Sequence, residues 1–188
     1  MSGTGETSAG VERPPWLAPA LAGLLAPMLG LAACSPLPAE SEAQARTAAA
    51  PARHPISGLE VVPLTITSGR RVHRFRVELA RTQAEQAQGL MFRTAMGANE
   101  GMLFLLEPHR QASFWMKNTV IPLDLVFIDG QRRIESVAAN AVPYSLQPIN
   151  SRGVVAAVLE LNGGRAAQLG LAPGDRVAWS LAPGRAAP

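Results

Sequence analysis

Cysteine is almost absent: Cys34 is the single one in 188 residues. No disulfide can close within the chain, and neither a CxxC pair nor a zinc-finger ligand set can be assembled. Histidine is scarce too, with three residues, and no HExxH, MxxM or HxM cluster accompanies His73, His109 or the methionines. No metal site is therefore expected, and the methionines read as core filler rather than soft copper ligands. A G-x-S-x-G elbow and a phosphate-binding glycine loop are both missing, so no cofactor is expected either. Aromatics make up only 5% of the chain, and the net charge of +3 is spread along it without a basic block. That excludes the footprint of a nucleic-acid-binding protein. The rarest charged residue is lysine: of 17 basic residues, all but Lys117 are arginine. In a composition this rich in Ala, Gly, Pro and Arg, a lysine without a task is expected to drift to arginine.

There is one long apolar run. From Trp16 to Ala33 the chain is nearly all apolar, then it meets Cys34 and turns polar. A short apolar stretch ending in small residues reads as a secretory signal. The alternative, an uncleaved transmembrane helix, fits less well because Pro19 and Pro27 interrupt a run barely long enough to span. Leu31-Ala32-Ala33-Cys34 resembles the lipobox of bacterial lipoproteins. That resemblance implies cleavage before Cys34, a diacylglyceryl group on its sulfur and acylation of the new amino terminus. Several acyl chains anchor stably where one binds marginally. In that family Ser35, in place of Asp, implies export to an outer membrane where the cell has one. The reading is thus an extracytoplasmic protein of the cell envelope whose first partner is a membrane. Residues 1–33 are the signal, and 34–57, rich in Ala, Pro and Ser, form a disordered tether. Residues 58–182 form one domain and 183–188 a tail.

Within the domain, Leu59–Thr67 and Val72–Ala80 read as strands, the second with clear alternation. Thr82-Gln83-Ala84-Glu85 is a capping-box pattern that opens a short helix ended by Gly89. Met102–Leu106, Ala112–Asn118, Leu123–Asp129, Arg133–Ala139 and Val154–Leu161 follow as strands. A second short helix covers Arg165–Leu169, and a last strand is Arg176–Leu181. Short strands with two small helices predict an α+β fold, mainly antiparallel, built as a closed or nearly closed small barrel.

The segments VELARTQAEQAQGLMFR, GMLFLL, FWMKNTVIPLDLVFID, VLELNGG and GLAPGDRV resemble domain-of-unknown-function family 192, in that family's order, over roughly Val61 to Trp179. The resemblance implies a small β-rich domain, often secreted or anchored, and assigns it no activity.

Candidate chemistry concentrates in Phe114–Asp124. Read as a hairpin with Thr119–Pro122 as its loop, this stretch places Lys117 opposite Asp124. Trp115 then walls the pair, with Asn118 and Thr119 at the mouth, a pocket for a small polar or anionic ligand. The plainer alternative is an ion pair that pins the hairpin register. A third is an enzyme, hydrolase-like, using Lys117 as base or nucleophile, since a buried ammonium can be tuned as a guanidinium cannot. Arg93 either binds a ligand carboxylate or, as favoured, braces Glu160 or Glu100. Glu160 alternates onto an apolar face and is expected to be paired. A purely structural module of an envelope complex is the remaining reading.

Overall fold

A computed structural model describes residues 52–181; the signal segment, Cys34, the tether up to residue 51 and the tail lie outside the described residues. Seven strands and two short helices follow one another: β1 (Val61–Ser68), β2 (Arg71–Ala80), α1 (Gln83–Gln88), β3 (Glu100–Phe114), β4 (Leu123–Ile128), β5 (Ile134–Ala141), β6 (Ile149–Asn162), α2 (Arg165–Leu169) and β7 (Arg176–Trp179). Helix α1 begins where its capping box predicts. The Thr82 hydroxyl accepts from the Glu85 amide, the Glu85 carboxylate accepts from the Thr82 amide, and Gly89 ends the helix at φ 47°.

The strands form one sheet in the order β5-β4-β6-β3-β2-β1-β7. Every neighbouring pair is antiparallel except β2 and β3, which run parallel from Arg76 opposite Glu100 to Ala80 opposite Phe104. A crossover carrying α1 joins them, because a parallel partner cannot be reached by a tight turn. The sheet curls until its two edges meet at one corner. There Arg133 bridges Arg176, and the Val177 amide donates to the Arg132 carbonyl at 2.8 Å. The mainly β fold with two short helices is as expected. The sheet is mainly antiparallel, with the one parallel pair, and it is curled rather than fully closed: its edges touch only where β5 and β7 begin.

Two apolar clusters occupy the two faces. Inside the curl lie Leu64, Ile66, Val77, Leu103, Val126 and Leu159. On the opposite face Met102, Phe104, Leu125, Phe127 and Val158 are covered by Leu90 and Met116. Strand β4 is buried on both faces, which is why LDLVFI shows no polar alternation. Each of these fully buried Leu or Phe side chains contributes about 1.5–3 kcal/mol.

Two boundaries differ from expectation. The strands read as Met102–Leu106 and Ala112–Asn118 are one 15-residue strand, β3, whose middle is exposed and whose pairing with β6 shifts register between Leu105 and Arg110. Residues 52–57, expected in the tether, belong to the fold: Arg53 bridges Glu60, and the Ser57 hydroxyl bonds Glu78.

Candidate functional site

The sheet order decides the fate of the expected Lys117–Asp124 pair. Strand β6 lies between β3 and β4, so Phe114–Asp124 is a connection that passes the end of β6 and cannot close as a hairpin. Asp124 pairs across with Leu161 of β6 and turns to the inner face, fully buried. Its carboxylate accepts three backbone amides, from Asn140 at 2.8 Å, Gly164 at 2.9 Å and Ala166 at 2.7 Å. The last two lie at the start of α2, whose own N-cap Gly164 makes no side-chain cap bond. Asp124 therefore caps α2 from outside and ties it to β4 and β5. It is a structural residue, and no ion pair joins it to Lys117 among the described residues.

Lys117 stands exposed on the connection, its Nζ 5.3 Å above the ring of the exposed Trp115. Asn118 takes a left-handed backbone at φ 56° and brings its Nδ2 to 3.7 Å from the Met91 sulfur. Thr119 is buried, and its hydroxyl donates to the Lys117 carbonyl at 3.3 Å. The connection is stitched on both sides. The Phe92 amide donates to the Asn118 carbonyl at 2.8 Å, and the Tyr144 amide to the Thr119 carbonyl at 3.2 Å.

Arg93 braces neither Glu160 nor Glu100. It holds Glu78 through two nitrogens at 2.9 and 3.1 Å, both side chains buried. This fork-on-fork pair locks the β2–β3 crossover to β2, and the His54 Nε2 lies 3.4 Å from the same guanidinium.

Glu160 is the exception. It lies on the outer face of β6, between Met102 of β3 and Leu125 of β4, only 5% exposed. Among the described residues its carboxyl has neither an ion-pair partner nor a hydrogen-bond donor, so the expected pairing does not exist. Burial, with nothing to offset it, pushes the carboxyl up to about 8. It lines a cleft of about 290 Å³ that runs between α1 and the 115–119 connection, with Lys117, Trp115, Thr119, Arg110 and Gln86 among its walls. The structure thus brings Lys117, Trp115, Thr119 and Glu160 together and sets Asp124 and Arg93 apart. Arg110 and Gln86 escaped the sequence reading because neither stands out by type. Gln86 places its amide within 2.6 Å of the Leu105 carbonyl, which fixes α1 as one wall of the cleft.

The model of domain-of-unknown-function family 192, described as uncharacterized ACR, matches residues 64–179. The chain belongs to that family. Two solved structures are similar to this family member. One, from Novosphingobium aromaticivorans DSM 12444, is a protein of unknown function, 59% identical, with a TM-score of 0.68 over 70% of this chain and 94% of that one. The other, from Sinorhizobium meliloti 1021, is described as a candidate transcription regulator, 41% identical, with a TM-score of 0.63 over 64% of this chain and 95% of that one. No curated protein matches.

Proposed function

We propose that the domain binds a small polar ligand in the cleft floored by Glu160, and that Cys34 holds it at the periplasmic face of a membrane as a lipoprotein. The observation that carries the ligand reading is a carboxyl nearly sealed in apolar surroundings, opening into a cleft, with no partner supplied by the described residues. Such a group is costly to bury, and a ligand that hydrogen-bonds to it recovers the loss. A ligand that fits presents a donor, cationic or neutral, to Glu160. Its polar or anionic end meets Lys117 and Arg110, the two cations of the cleft. Trp115 offers a flat apolar wall beside Lys117.

A second reading follows from the same carboxyl. An acid that keeps its proton near neutral pH suits general acid catalysis. Glu160 is the one carboxylate among the residues lining this cleft, so hydrolysis by a pair of carboxyl groups is not the chemistry it supports.

Native mass spectrometry of the full chain, released from membranes in mild detergent, tests the binding reading. The wild type is expected to carry a small bound molecule that Glu160→Ala loses. A bare protein mass, together with thermal transitions that no small amine, sugar or carboxylate shifts, would refute it.

A further inference from the structure

We propose that the face carrying Ile56, Phe92, Trp115, Tyr144 and Leu146 is a docking surface for a lipid bilayer. The surface borders the Glu160 cleft and shares Trp115 and Lys117 with it, and the choice of a bilayer rests on the proposed Cys34 anchor.

Large apolar side chains are widely exposed here: Ile56 74%, Phe92 67%, Trp115 52%, Val142 67%, Tyr144 61% and Leu146 64%. Singly exposed hydrophobics need no explanation, but a cluster does. These residues are gathered by the backbone. Ile56 and Phe92 line one cleft of about 600 Å³, with Leu59 and Met91 also in its walls. Phe92 and Tyr144 are hydrogen-bonded to successive residues of the 115–122 connection, and the Met116 amide donates to the Ser145 carbonyl at 2.9 Å. Four separated stretches of sequence thus meet at one surface.

The conformation of two of these residues adds a second observation. Phe92 and Tyr144 both sit at φ 62°, a left-handed backbone that bulky side chains rarely adopt. Strain of this kind is usually tolerated for what it positions. Neither ring is repaid by core packing, since both project into solvent. What the strain achieves is display.

Composition and chain direction select a bilayer over a protein partner. Trp, Tyr and Phe beside aliphatic residues, with a lysine among them, is the mixture found where protein meets the membrane interface. Lys117, its ammonium resting above Trp115, has the stem and reach to sit among headgroups. The chain also enters the domain at this face, since Ile56 precedes β1 and is part of the patch. Residues 35–51 alone separate the described domain from Cys34, so an acylated Cys34 leaves only a short connection between this face and the bilayer.

The domain supports a test by itself. Both apolar clusters are complete within residues 52–181, and the Novosphingobium relative crystallised as a chain of which this domain covers 94%. Residues 52–188 would carry an amino-terminal hexahistidine tag, which tethers the domain to phosphatidylcholine vesicles containing a nickel-chelating lipid. The acyl chains would be brominated to quench tryptophan. In a Trp179→Phe background Trp115 is the sole reporter. Its emission is expected to shift to the blue and to be quenched on tethering. Adding Ile56→Ser and Phe92→Ser should abolish both changes while leaving the thermal transition in place, because both side chains are exposed. The reverse reporter, Trp179 in a Trp115→Phe protein, should remain unquenched, since that ring packs against the inner core and stacks on Arg132 at 3.7 Å. A tethered domain whose Trp115 emission does not change overturns the proposal. So does burial of Trp115 by concentration-dependent self-association in the absence of lipid.

Discussion

Replacing Glu160 with Gln removes a charge that the fold does not want, and the consequence is readable across pH. The unfolded chain titrates this side chain near 4.5, the folded one near 8. Below 4.5 both states hold the proton, and the residue contributes nothing to pH dependence. Between the two values the folded state binds more protons than the unfolded, so stability falls as pH rises, by up to about 1.4 kcal/mol per pH unit. Accumulated from 4.5 to 7, the loss is about 3 kcal/mol, and it levels off above 8. Glutamine keeps the shape and never ionises. Glu160→Gln should therefore match the wild type near pH 4 and exceed it by about 3 kcal/mol at pH 7. Urea denaturation at several pH values measures this, with the midpoint moving and the m-value unchanged. Every other titrating group is common to both proteins and cancels in the difference. A stability gap that stays constant from pH 4 to pH 8 would refute the reasoning, because it would mean that the carboxyl ionises equally well in both states.

Asp124→Ala strips three backbone amides of their acceptor and should cost about 4 kcal/mol, whereas Lys117→Met, at an exposed site, should stay within about 1 kcal/mol of the wild type in the same denaturant assay. Arg93→Met leaves the Glu78 carboxylate buried without its guanidinium and should cost about 3–5 kcal/mol; adding Glu78→Leu should recover most of it. Gly101→Ala forces a methyl to within 2.5 Å of the Glu160 carbonyl where β3 meets β6, so thermal unfolding should report a loss of about 1–3 kcal/mol. Cys34→Ser should release the protein from membranes or block its processing, and unchanged fractionation and mass in that variant would end the lipoprotein reading.

The elements that sequence reveals well are those decided locally. The capping box at Thr82, the Gly89 stop and the alternation of β2 each follow from neighbouring residues, and each is where the spacing puts it. Pairing is decided elsewhere. Nothing within Phe114–Asp124 reveals that β6, some thirty residues later, inserts between the two strands, and so a hairpin register looked natural. The same gap explains the reversed roles of the acidic residues. Asp124 was legible as important but not as a helix cap, because the amides it serves belong to distant loops. Glu160 was legible as a carboxylate on an apolar face. Its lack of a partner depends on Arg93 having been claimed by Glu78, which no periodicity shows. Phe92 and Tyr144 are not legible as exposed, because nothing in the neighbouring residues marks them so; their left-handed backbones turn them outward.

The three bonds of Asp124 have a kinetic side. They reach residues 16, 40 and 42 positions away, so they form only after β4, β5, β6 and α2 have assembled. Contacts that close such long loops late are weakly developed at the folding barrier. Weakening them leaves the climb to that barrier nearly unchanged and shortens the descent back out. Asp124 is in this sense a latch: it governs how long a folded molecule lasts more than how quickly one is made. Variants at this position should be recognised by short lifetimes under protease challenge, even where they refold at the ordinary rate.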